Sequence, residues 1–201
     1  MTVIVTKPTT FESASYVGRE LGAADIASLQ ALFDANPEYS VLVSGRRPHA
    51  DEAQVEFDEQ PPPDMRFRSR WLTGFFDREG ELVGVSNVLT DFLADGVWHI
   101  GLFLVATRLH GRGAAIELCD ALEAAMAAGG ARWIRLGVVI GNERADRFWA
   151  RRGYREVRVR HGIDVGGRIN DVRVLVKPLK GGALDDYLAL VERDRSDSPK
   201  P

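Results

Sequence analysis

Two glycines, Gly111 and Gly113, stand between an apolar run ending at Val105 and a helix-forming run that begins at Ala114. A glycine-rich turn between a strand and a helix N-terminus suits phosphate, because backbone N–H groups converge there and the helix end carries partial positive charge. Further on, Asn142 opens a second helical run shortly after another apolar strand. Together the two helix starts suit a ligand with a pyrophosphate at one end and a reactive group at the other. Each has a plainer reading, a strand-to-helix turn and an ordinary Asn N-cap. Other chemistries are poorly supplied. The turn lacks the third glycine of Gly-x-Gly-x-x-Gly and the Gly-Lys-Ser/Thr ending of a P-loop. The four histidines and single cysteine show no metal-ligand spacing, so no metal is expected. Cys119 falls on an apolar helical stripe and reads as a small buried hydrophobe.

The elements that would position these residues follow from periodicity. Residues 97–105 form a largely apolar strand, and residues 114–127 form a helix whose Ala115, Leu118, Cys119, Leu122, Ala125 and Met126 share one stripe. Glu117, Asp120 and Glu123 read as lying away from that stripe. Gly129-Gly130 ends the helix. Residues 133–140 are a strand and 142–152 a short helix with Ala145, Phe148 and Trp149 on one face. Upstream, residues 15–21 read as a strand. Ile26, Leu29, Leu32 and Phe33 have helical spacing, and residues 49–57 are a short acidic helix. The apolar run 39–43 has no clear type, and Pro61-Pro62-Pro63 marks a loop. Residues 71–76 and 82–89 form a hairpin about Asp77-Arg78-Glu79-Gly80. Residues 154–160 and 172–176 are the last strands, joined through a Gly166-Gly167 loop, and residues 184–191 form a terminal helix. Residues 1–12 read as an extension with a short strand at 3–6. Residues 13–180 form one domain, and 181–201 hold the last helix and a polar tail from Asp194 expected to be disordered. The fold class is therefore α/β, a mixed sheet covered by helices.

With 201 residues, 45% hydrophobic and 27% charged, the chain is long enough for one domain with a full core. A net charge of -3 excludes the basic footprint of a nucleic-acid binder, and the arginines between 144 and 160 read mainly as a solvated face. No window approaches the ~20 apolar residues of a membrane span. One cysteine permits no internal disulfide, and no signal-peptide pattern is present, so the expected location is the cytoplasm.

Over residues 97–154 the chain resembles the GNAT superfamily of acyl-CoA-dependent N-acetyltransferases. The family's pyrophosphate motif, Gln/Arg-x-x-Gly-x-Gly/Ala, is matched by His110-Gly111-Arg112-Gly113-Ala114-Ala115, departing at His110. A second register beginning at Arg108 satisfies the motif literally, but the first puts Val105 at the family's strand end. Asn142-x-x-Ala145-x-x-Phe148-Trp149-x-x-x-Gly153-Tyr154 follows the family's second block. The likeness extends back to about Ser15, and points to a subgroup of acetyltransferases with unassigned substrate.

The resemblance implies a mixed, mostly antiparallel central sheet flanked by helices, and acetyl-CoA as cosubstrate. It implies that backbone groups of Phe103, Leu104 and Val105 pair with the pantetheine amides, that residues Gly111, Arg112, Gly113, Ala114 and Ala115 hold the pyrophosphate with His110 beside the phosphates, and that Asn142, Ala145, Phe148 and Trp149 flank the cofactor arm. Many members carry at position 149 a Tyr that protonates the leaving thiolate, which an indole cannot do. Water, or the hydroxyl of Tyr39 or Tyr154, would then replace it; otherwise the chain binds acyl-CoA as a sensor without efficient turnover. The base is His99, near the place of a catalytic Glu in some relatives, or Asp91 at the preceding strand end. Transfer would be direct, with backbone donors at the developing oxyanion. The acceptor is a small-molecule or protein amine. The acidic residues Asp51, Glu52, Glu56, Asp58 and Glu59 could draw a cationic amine, or simply be a solvated face. Pairing of two copies through the last strands, a homodimer, is implied by resemblance alone.

Overall fold

The computed structural model describes residues 10–61 and 63–198. Its strands are β1 (Thr10–Glu12), β2 (Val17–Glu20), β3 (Ser69–Phe76), β4 (Leu82–Thr90), β5 (Val97–Val105), β6 (Trp133–Val139), β7 (Arg155–Val165) and β8 (Arg168–Pro178). Its helices are α1 (Ile26–Ala35), α2 (Glu38–Ser44), α3 (Glu52–Asp58), α4 (Ala114–Ala128), α5 (Glu143–Arg151) and α6 (Leu184–Leu190). The eight strands form one sheet in the order β1-β2-β3-β4-β5-β6-β8-β7. Every adjacent pair is antiparallel except β5 and β6, which α4 connects as a parallel pair.

The helices cover both faces of the sheet. On one face Trp98, Ile100 and Leu136 pack with Leu118, Leu122 and Met126 of α4. On the other, Leu29, Leu32 and Phe33 of α1 and Ala53 of α3 pack with Leu72, Val85, Leu102 and Leu104. Each buried Leu or Phe contributes about 1.5–3 kcal/mol. In β5 the two faces do not follow simple alternation. Its ladder with β4 pairs Asn87 with Leu102 and Val88 with Ile100, so Gly101 is the extra residue of a β-bulge. The bulge lets Trp98 and Ile100 face α4 while Leu102 and Leu104 face α1.

Several elements differ from the sequence reading. Residues 10–12, read as part of an extension, form edge strand β1, and Ser13 and Ser15 bind Glu117 of α4 at 2.7 and 2.6 Å. The strand expected at 3–6 lies outside the described residues. The run 39–43 is helical, started by Pro37 at its N-cap and stopped by Gly45 in a left-handed conformation. β7 and β8 extend well beyond 154–160 and 172–176, and their polar residues hid this because both faces of the outer arms are largely exposed. Glu123 is buried, not solvated. It binds Lys177 at 2.5 Å and accepts from the Tyr154 hydroxyl at 3.0 Å. Asp194, read as the start of a disordered tail, is fully buried at the end of a short 3-10 turn, Glu192–Asp194. Cys119 is buried as expected, and burial pushes its thiol up to about 12, so it stays protonated.

Candidate active site

The sheet parts at its centre. The β5–β6 ladder runs from Val97 and Trp133 to Ile100 and Leu136 and goes no further. Beyond that point β5 continues along β4 to Val105, while β6 continues along β8 to Val139. A slot therefore opens beside the bulge at Gly101, edged by Phe103, Leu104 and Val105 on β5. Strand-edge backbone in such a slot can pair with amides of an extended ligand.

The glycine turn stands at the end of β5. Gly111 and Gly113 have φ of 76° and 85°, the left-handed region that an L side chain enters at a cost of roughly 1–2 kcal/mol. A Cβ built on either would meet nothing within 4 Å, so conformation rather than crowding requires glycine. Gly113 is the N-cap of the 15-residue α4, whose first turn begins with buried Ala114 and half-buried Ala115. Arg112 is exposed beside them. His110 turns inward, and its Nε2 hydrogen-bonds the carbonyl of Val105 at 2.8 Å. That bond pins the turn to the strand end, and Nδ1 of the same ring is buried with no hydrogen-bond partner among the described residues. Burial and then Arg144 hold its pKa below the usual histidine value.

Asn142 caps α5, with Oδ1 accepting from the N–H of Ala145 at 3.1 Å. Its amide nitrogen has no hydrogen bond among the described residues. Phe148 stacks on Phe103, centroids 6.1 Å apart, and thereby joins α5 to the slot edge. Trp149 is 6% exposed and packs edge-on against Phe103, Phe148 and Tyr154, so it belongs to the core. Ala145 packs half-buried on the same cluster.

On the α1 side of the sheet a cavity of about 680 Å³ is lined by Gly101 and His99 of β5, Gly137 and Arg135 of β6, and residues of α2, α3 and β7. Its acidic wall is α3. Glu56 is positioned one turn after buried Ala53, and its Oε1 accepts from Asn87 Nδ2 at 2.7 Å and Arg70 Nη2 at 3.1 Å. Burial and then Glu59 push its carboxyl up to about 7, against the opposing pull of Arg70 and Asn87. The same helical spacing in the sequence was the available signal, but the surrounding acidic residues made Glu56 read as part of a solvated face. Tyr39 lines the same cavity, its hydroxyl pushed up to about 12 by burial and by Glu56 and Glu59. Tyr154 lies on the α4 side, committed to Glu123.

The expected bases fare differently. His99 does line the cavity, stacked on Phe92 with centroids 4.7 Å apart. Its Nδ1 lies 3.2 Å from the carbonyl oxygen and 3.3 Å from Nη1 of Arg135. Burial and the Arg135 charge lower its pKa to about 3, so it is neutral and a feeble proton acceptor. Asp91 does not line the cavity. Its carboxylate accepts from Gly96 N–H at 2.7 Å and Arg68 Nε at 2.6 Å, closing the β4–β5 connection, where Asp91 itself has φ 48°.

Arg135 and Asp194 were not anticipated as part of this region, although an arginine amid the apolar run of β6 is a visible anomaly. Arg135 donates to Asp194 from Nε at 2.7 Å and Nη2 at 3.0 Å, and the Tyr187 hydroxyl donates to the same carboxylate at 2.5 Å. Burial alone would raise the Asp194 pKa, but the Arg135 bonds and charge hold it below the usual carboxylate range.

A parted sheet with a phosphate-type turn at the end of one strand and a half-buried carboxyl in the adjoining cavity suits acyl transfer. The sequence model of the Acetyltransferase (GNAT) family matches residues 30–154, and the chain belongs to that family. It is an acetyl-CoA-dependent N-acetyltransferase. The fold is similar to that of a GCN5-related N-acetyltransferase from Brucella melitensis, with TM-score 0.69, 19% identity, and coverage of 94% of this chain and 86% of that one. It is similar also to an acetyltransferase from Thermus thermophilus, with TM-score 0.62, 20% identity, and coverage of 83% and 98%. A third similar structure is a spermidine N-acetyltransferase from Vibrio cholerae in complex with CoA and spermine, with TM-score 0.62, 17% identity, and coverage of 82% and 95%. No curated protein sequence matches this chain.

Proposed function

We propose that this protein moves an acetyl group from acetyl-CoA directly to a primary amine bound in the cavity, with Glu56 taking the amine proton. The observation that carries this reading is the meeting of the slot and the cavity at Gly101, with a carboxyl pushed up to about 7 on the cavity wall. A base with a pKa near the working pH is the efficient kind. The residues present fit the cosubstrate: backbone of Phe103, Leu104 and Val105 for its amides, N–H groups from Gly111 to Ala115 for its pyrophosphate, and the amide nitrogen of Asn142 for its arm. As the amine nitrogen bonds to the acetyl carbon, the C–S bond breaks and the amine proton passes to Glu56. The departing thiolate is a good leaving group and takes its proton from water; Tyr39 is a tyrosine hydroxyl of the cavity lining that could take water's place. No acyl-enzyme is involved.

Trp149 favours a second reading, a catalytically weak relative that acts chiefly as an acetyl-CoA sensor, because it stands where many relatives have the acid Tyr. Calorimetric titration with acetyl-CoA, repeated on Gly113→Trp, followed by thiol release with a panel of amines, separates the two. Micromolar binding lost in the variant, with thiol release, supports the enzyme. Binding without release for any amine leaves the sensor. No binding by the folded protein defeats both. The reading includes a cytoplasmic location and no nucleic-acid or membrane partner. It also includes a homodimer built on the exposed β7–β8 arms, where Ile169 is 65% exposed, testable by light scattering.

A further inference from the structure

The cavity carries opposite charges on different elements. Glu56 comes from α3 and Glu59 directly follows it, with Arg46 and Arg70 paired to the carboxylates of Glu52 and Glu56, whereas Arg135 and Arg160 come from β6 and β7. The basic side is short of acceptors. Two guanidinium groups share the carboxylate of Asp194, and Arg135 takes the better part of it, with bonds of 2.7 and 3.0 Å. The Tyr187 hydroxyl takes a further share at 2.5 Å. Arg160 is left with 3.4 Å contacts from Nη2 to Asp194 Oδ1 and to the Arg193 carbonyl. Its side chain is 10% exposed, and its Nε is buried with no hydrogen-bond partner among the described residues. Burial and then Arg135 push its pKa down to about 10, so it remains a cation at neutral pH. A desolvated guanidinium without a full set of acceptors is costly, and an anion supplies what is missing. A planar carboxylate matches the guanidinium fork better than a single oxygen does.

We propose that the acceptor is an amine that also carries a carboxylate, bound with its amine toward Glu56 and its carboxylate toward Arg160. The amine end rests on the acetyl-transfer reading above; the carboxylate end rests on the Arg160 cluster alone. A volume of about 680 Å³ is in the range of small-molecule sites, so the acceptor is a free amino acid or a compound of that size. Opposite charges on different elements of the lining fix its orientation, with the amine, not the carboxylate, at the Glu56 end.

The test uses matched pairs: several L-amino acids, each against its decarboxylated amine and its methyl ester, with acetyl-CoA and thiol detection. The amino acid is expected to exceed both partners at least tenfold in kcat/KM. In Arg160→Gln that ratio falls toward one, through KM for the amino acid, and Arg160→Lys restores part of it. Because the ratio is taken within each variant, a loss of folded protein cancels. Equal rates for amino acids and amines in the unaltered protein overturn the proposal while leaving acetyl transfer intact. So does a ratio that survives in Arg160→Gln. If no amine of any kind releases thiol, the acetyl-transfer reading fails. Calorimetric titration of the same pairs then decides the cavity's preference, with tighter binding of the amino acid supporting the carboxylate site and equal or absent binding overturning it.

Discussion

Glu56 and His99 line one cavity, and burial moves them in opposite directions. Glu56 must lose its proton to act, so with its carboxyl near 7, kcat/KM for acetyl transfer is expected to rise with pH through neutrality and then level. Glu56→Gln should lower kcat by roughly 10²–10⁴ and flatten that limb. A limb that persists in the variant belongs to the amine, and Glu56 is then not the base. The same shift bears on stability. Its folded value lies above the ordinary 4.5, so ionisation of Glu56 costs stability as pH rises from about 4.5 to 7, and the glutamine variant should lose that slope. His99 is the reverse case, held at about 3 against an ordinary 6.5. Its neutral form stabilises the fold above 6.5, and that contribution is lost as pH falls toward 3. The imidazole proton signals of His99 in NMR spectra should therefore not move between about pH 8 and 5; titration near 6 would show that the ring is not buried beside Arg135.

The elements were legible where pattern and burial agree. β5, α4, β6 and α5 fall close to their expected bounds because apolar stripes and glycine stops coincide there. α2 was missed because seven residues are too few for a stripe to declare itself, and the outer arms of β7 and β8 because neither face is dry. The cosubstrate motif was legible because backbone geometry demands glycine. Gly111→Ala and Gly113→Ala should each cost about 1 kcal/mol of stability from the left-handed φ alone, with no clash, and weaken acetyl-CoA binding measured by calorimetry. The charged groups of the cavity were not legible: Glu56, Arg135 and Arg160 come from α3, β6 and β7, and no spacing in the sequence announces that they meet. Glu123 shows the same limit: an acidic residue on a helix reads as solvated until Lys177 and Tyr154 are known to face it.

At the scale of the molecule, the C-terminal segment is part of the structure. Asp194 is fully buried against Arg135, whose side chain is 8% exposed, so Asp194→Asn should cost roughly 3 kcal/mol by leaving a buried cation short of its partner. A fall in the urea midpoint checks this, and a change under about 1 kcal/mol would mean the tail is dispensable. The parting of β5 and β6 has a mechanical consequence of its own. The sheet is two blades, five strands and three, whose shared ladder is only four residue pairs long and lies wholly at one end. Such a joint behaves as a hinge, and a ligand lying between the blades acts as a stay across its open end. Bound CoA should therefore slow amide hydrogen exchange along residues 101–105 and 137–139, the slot edges outside the pyrophosphate turn itself, while residues 97–100 and 133–136 exchange as slowly without it as with it.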